Sequence, residues 1–89
     1  MLIALMAKDK PGALQTRLDN RDAHVAYLKS SGVVSQAGPF LDEAGEMIGS
    51  LVILDVPDMQ SAEKWAESDP YAKAGLFSEV RMIAWKKVI

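Results

Sequence analysis

Cysteine is absent from this chain, which excludes disulfide staples and thiolate metal sites. Packing and subunit association are left to hold a small fold together. Histidine is nearly absent: His24 stands alone. Only one side chain therefore has an unperturbed pKa between pH 5 and 8, so proton transfer near neutrality has few places to sit. A single imidazole, with carboxylates at Asp42-Glu43, Asp55 and Asp58 in no ligand-loop spacing, offers no metal site. The patterns G-x-G-x-x-G, G-x-x-x-x-G-K-[ST] and G-x-S-x-G are also missing. Dinucleotide, nucleotide-phosphate and α/β-hydrolase readings lose their foothold, and no cofactor is expected.

Positive charge is in short supply. Ten Lys and Arg face 12 Asp and Glu, a net charge of −2, and the basic residues are scattered, not gathered into the stripe that phosphate backbones require. Nucleic acid is not an expected partner. Long apolar runs are lacking as well. Met1 to Ala7 is apolar, but it has no basic leader, stops at Lys8-Asp9-Lys10-Pro11 and is too short to cross a bilayer. It reads as the first strand of a soluble, cytoplasmic protein.

Eighty-nine residues, 49% apolar and 25% charged, fit a single domain over 1–89 and exclude disorder. A domain of this size buries only about 60 to 65% of its unfolded surface. With more apolar surface than one small core needs, the chain is expected to associate with a second copy.

Residues 1 to 8 lack polar alternation and read as an inner strand covered on both faces. From Leu14, the residues Leu14, Leu18, Val25 and Leu28 share one helical arc that ends near Gly32. The cap-type pair Asp19-Asn20 suggests a break, with a fresh helix starting at Asn20. Gly32 to Leu41 and Met47 to Val56 flank the turn Asp42-Glu43-Ala44-Gly45 and predict an antiparallel hairpin. Gly38-Pro39 reads as a bend or bulge within it.

Asp58 caps a second helix with Met59, Ala62, Trp65 and Ala66 on one face. Asp69-Pro70 repeats the cap-plus-proline signature before an extra turn closed by Gly75. Phe77 to Ile89 reads as a long last strand. The order β-α-β-β-α-β is the ferredoxin-like α+β arrangement, a four-stranded antiparallel sheet with two helices on one face. Its bare face carries apolar groups, so two sheets are expected to pack face to face as a homodimeric α/β barrel.

Arg17, Arg21 and His24 recur at i, i+4, i+7 along one stripe at the margin of the apolar arc. If the Asp69 turn returns to the same rim, its carboxylate holds one imidazole proton and raises the basicity of the other nitrogen. A plainer account comes first on periodicity alone. Asp69 before Pro70 is an ordinary N-cap worth about 1 kcal/mol, a lone imidazole beside an apolar stripe is a packing residue, and the two arginines are solvated charges beside Asp19 and Asp22. Gly49-Ser50 brings a hydroxyl toward a ligand or relieves a crowded contact, and Tyr71 offers a phenol to the rim or a lid to the second helix.

Together, several features resemble the YciI-like, or YCII-related, family over nearly the whole length. They are the first strand followed by Asp9-Lys10, Arg17-x-x-x-Arg21-x-x-His24, Ala37-Gly38-Pro39, and Ala66-x-x-Asp69-Pro70-Tyr71 followed by Ala74-Gly75. Family members often carry proline after the second arginine, where this chain has Asp22, a residue that suits the start of a helix.

The resemblance implies a dimeric α+β barrel with a His-Asp active site, here His24 and Asp69. Its nearest precedent is a lyase that eliminates chloride from a chlorinated hydroxyquinol. The expected activity is therefore cofactor-free elimination or isomerisation of a small aromatic or enolisable compound, with Arg17, Gly38, Pro39, Ser50 and Tyr71 against the substrate. The expected partners are a second copy through the open sheet face and a small, anionic ligand. The competing expectation is a non-catalytic dimeric module that binds a small ligand or serves as an accessory domain. A third is a haem-handling or monooxygenase relative of the same architecture.

Overall fold

Seven elements follow one another: β1 (Leu2–Asp9), α1 (Leu14–Ser31), β2 (Val34–Leu41), β3 (Met47–Asp55), α2 (Met59–Glu67), the short α3 (Pro70–Lys73) and β4 (Phe77–Trp85). They come from a computed structural model that describes all 89 residues. Every pairing is antiparallel, in the order β2-β3-β1-β4. This is the expected ferredoxin-like α+β fold, with β1 and β3 inside.

The register sorts side chains by face, because neighbours directly across antiparallel strands point the same way. Leu5 lies opposite Val52 and Met82, while Ala4 lies opposite Ile53 and Ile83. The first row joins Ile3, Ala7, Leu54, Val56, Ala62 and Trp65 in the core beneath the helices. The second row lies on the open face, where Ile83 and Trp85 are exposed. The apolar character of β1 thus serves two faces, and within one chain only one of them is covered, which corrects the expectation of a strand buried on both.

Three further readings are corrected. α1 runs unbroken through Asn20, whose side-chain amide donates to the Thr16 carbonyl at 2.8 Å and stays within the helix. Its buried side chains are Arg17 and His24, while of the apolar arc Leu14, Val25 and Leu28 are only half-buried and Leu18 is exposed. β4 ends at Trp85 because its partner across the sheet is Leu2, close to the start of β1, leaving Lys86 to Ile89 no ladder to join. Gly38 and Pro39 sit in regular register opposite Leu51 and Ser50, and the irregularities flank them, between Val34 and Gln36 and between Phe40 and Leu41. Pro39 lacks a ladder donor and is tolerated because β2 is an edge strand.

The expected stops hold. Gly32 closes α1 at φ 72°, Asp58 accepts the Ser61 amide at 2.8 Å to start α2, and Gly75 at φ 72° closes α3. No helix is long and apolar enough to cross a membrane.

Candidate active site

Five polar side chains are buried in this small molecule: Asp9, Arg17, His24, Ser50 and Asp69. Burying charge is tolerated only where it is paired and hydrogen-bonded, and all five meet that condition in two adjoining clusters.

The first cluster is built where β1 ends. Asp9, brought inward at a register shift against β4, accepts from Arg17 Nε at 2.8 Å and Nη2 at 2.9 Å, and the same Nη2 donates to Ser50 Oγ at 2.8 Å. Burial opposes the guanidinium charge. The hydrogen bonds and charge of Asp9, with a smaller contribution from Tyr71, outweigh that penalty and hold Arg17 above the ordinary arginine value. Gly49 makes the neighbouring approach of β3 to β1 feasible, since a Cβ there would collide with the Ala7 carbonyl oxygen.

The second cluster joins α1 to the turn before α3. His24 Nδ1 lies 2.7 Å from Asp69 Oδ1, the oxygen that also accepts the Tyr71 amide at 2.9 Å. An oxygen already accepting one N–H is best paired with Nδ1–H, so the network assigns the imidazole proton to Nδ1 and leaves Nε2 as the basic nitrogen. The N-cap role and the histidine contact are therefore two uses of one carboxylate. Tyr71 links the clusters. Its ring stacks on His24 with centroids 3.7 Å apart and planes 13° from parallel, and the Arg17 guanidinium carbon lies 4.7 Å from the ring centre. Burial pushes the Tyr71 phenol above the usual tyrosine value, against the pull of Arg17 and Arg21.

These residues border a cleft of about 170 Å³ between α1 and the sheet. His24, Arg17, Arg21 and Tyr71 form its polar wall, Gly38, Pro39 and Ser50 stand on the sheet side, and Val25, Leu28 and Val52 supply apolar surface. Asp69 stands behind the imidazole and does not line the cleft. The Arg17 guanidinium and the Tyr71 hydroxyl act on each other, whereas His24 Nε2 has no hydrogen-bond partner within the protein, and no unpartnered polar side-chain atom is buried. Nε2 is therefore reachable from outside. No group of three or more His, Asp or Glu side chains is gathered into a metal-binding arrangement. Ala37 and Gly38 of β2 border this cleft and also a second hollow of about 470 Å³ on the open sheet face.

Six of the seven residues singled out from sequence, His24, Arg17, Gly38, Pro39, Ser50 and Tyr71, thus meet at one cleft, and the seventh, Asp69, supports it from behind. Two placements differ from the residue-level reading. Arg17 is 2% exposed instead of solvated, and Ser50 commits its hydroxyl to Arg17. Asp9, read as part of a charged turn and as the Asp9-Lys10 of the family resemblance but given no role at the site, is the residue missed. No local pattern marks it, because its pairing depends on the strand shift beside it.

A model of the YCII-related domain matches residues 1–86. Protein YciI of Escherichia coli O6:H1 is 36% identical over an alignment of 97 positions that covers 99% of each chain. The solved structure of 5-chloro-2-hydroxyhydroquinone dehydrochlorinase (TftG) from Burkholderia phenoliruptrix AC1100, in complex with 2,5-dihydroxybenzoquinone, is 36% identical. It superposes with a TM-score of 0.88 over 97% of this chain and 94% of that one. An antibiotic biosynthesis monooxygenase matches at TM-score 0.62 over the full length of both chains, with 14% identity, a likeness of fold alone.

Proposed function

The chain belongs to the YCII-related domain family, and from that premise we propose that it is a cofactor-independent acid/base enzyme of lyase type acting on a small aromatic or enolisable compound. All 89 residues are read as one such unit, working in the cytoplasm as a homodimer through the open sheet face. The observation that carries the chemistry is the 2.7 Å contact between His24 Nδ1 and Asp69 with Nε2 left open to the cleft. A base must lie within hydrogen-bond reach of the proton it removes and must be held in one tautomer. Asp69 does the holding.

In the proposed reaction Nε2 takes one proton from the substrate. The electron pair left behind moves through the conjugated system and expels the leaving group as an anion, and the imidazolium, stabilised by Asp69, returns its proton to solvent. Charge that develops on a substrate oxygen meets the Arg17 guanidinium and the neutral hydroxyl of Tyr71 on the same wall of the cleft. The similarity to a dehydrochlorinase supports elimination as the reaction class.

Chloride release from 5-chloro-2-hydroxyhydroquinone, followed with an ion-selective electrode, tests this. Turnover should fall at least about a hundredfold in His24→Ala, with circular dichroism and melting temperature showing that the variant is folded. Turnover by a folded His24→Ala variant at the wild-type rate removes the acid/base reading. Loss of ligand binding without any wild-type turnover supports the binding-module account instead.

A further inference from the structure

One cation at the cleft has no part in the chemistry above. Arg21 lies on α1 between Arg17 and His24, four residues from one and three from the other, a spacing that sets all three on one stripe. It lines the cleft and is exposed. The protein's three ion pairs join Arg17 to Asp9, His24 to Asp69 and the amino terminus to Asp55. Arg21 belongs to none of them, and none of the side-chain hydrogen bonds involves it.

The surrounding charges make its position informative. Asp9 cancels Arg17. With a neutral imidazole the His24–Asp69 pair carries one negative charge, placed behind the nitrogen that faces the ligand. Without Arg21 the polar wall would therefore be net negative and would repel an anion approaching Nε2. With Arg21 it is neutral, and its outermost charge is positive. No carboxylate lines the cleft, so nothing competes with an incoming anion for that guanidinium. A neutral ligand would gain less from it, since a charge-assisted hydrogen bond to an anion is the stronger kind.

We infer that Arg21 is a specificity residue that selects ligands bearing a carboxylate or phenolate, holding that group at the mouth while the rest of the molecule lies between His24 and the apolar wall of Val25, Leu28 and Val52. This rests on the cleft being the reactive site proposed above. It extends that proposal by naming the charge class of the substrate and the residue that reads it.

Wild-type protein, Arg21→Gln and Arg21→Lys are titrated with 4-hydroxybenzoate and its neutral isostere 4-hydroxybenzamide, and binding is followed by amide chemical shifts. Wild type should favour the carboxylate by about tenfold. Arg21→Gln should level the two by weakening only the carboxylate, and Arg21→Lys should keep most of the preference. Added salt should weaken the carboxylate complex of wild type and leave that of Arg21→Gln nearly unchanged. Equal binding of the two probes by wild type, binding of neither, or a preference undiminished in Arg21→Gln overturns the inference. The chemistry fails separately: a carboxylate preference that persists beside unaltered turnover in His24→Ala would retain the anion reader and remove the base.

Discussion

Arg17 and Asp9 show what a single buried pair demands. Removing one partner leaves the other charged and without compensation, and that outcome is more destabilising than the pair is stabilising. Arg17→Met should lower stability by about 3 kcal/mol, read from the urea midpoint, whereas the joint change Arg17→Met with Asp9→Leu should recover part of the loss. An unchanged midpoint in the single variant would mean that water reaches Asp9 freely. Two phenols, Tyr71 buried and Tyr27 half-buried, set a limit at alkaline pH. Burial raises both Tyr27 and Tyr71 above their reference of 10.0, so the folded chain keeps protons that the unfolded chain releases. Their contribution is intact below about pH 10 and is lost as pH rises beyond it. The melting temperature should fall as pH rises above about 10, and more shallowly in a Tyr27→Phe, Tyr71→Phe variant. At this scale the sequence was informative where a residue type was rare or stood beside proline. His24 and Asp69 stood out for those reasons, while Asp9 was one carboxylate among twelve acidic residues with its partner decided by tertiary register.

Among the elements, β3 carries the tightest constraint. Gly49 faces the Ala7 carbonyl with no room for a Cβ, and the neighbouring Ser50 must keep its register to meet Arg17. Gly49→Ala should cost about 1 to 3 kcal/mol and reduce hydrogen-exchange protection along the β1–β3 ladder. A melting temperature equal to wild type would show that the strands part easily there. The hairpin, both helix caps and the closing glycines were legible because each depends on chemistry within a few residues. The unbroken course of α1 through Asp19-Asn20 was not, since the Asn20 amide satisfies itself on the preceding turn, the buried Arg17 fastens the helix to the sheet and His24 fastens it to the turn before α3. The end of β4 was equally hidden, because a strand stops where its neighbour does, and that neighbour lies at the far end of the chain.

For the whole molecule, the open sheet face is the unbalanced feature: Ala4, Ile53 and Ile83 form one apolar row there, with Trp85 alongside. A two-fold dimer uses each residue twice. Ile83→Glu should therefore weaken self-association by about a hundredfold or more, seen in sedimentation velocity as a shift from dimer to monomer. A wild-type chain that sediments as a monomer at high concentration would assign that face another role. The bare face was legible from the alternation of β4, but its covering was not, since periodicity reports which way a side chain points and not what meets it. The thin edge formed by Ala37 and Gly38 has a consequence of its own. Backbone there separates the cleft from the hollow on the open sheet face, so under the proposed function it divides a chamber for a small molecule from one for a neighbouring subunit. If a second copy fills one and a ligand the other, ligand affinity should vary with protein concentration, which a titration at two protein concentrations would read.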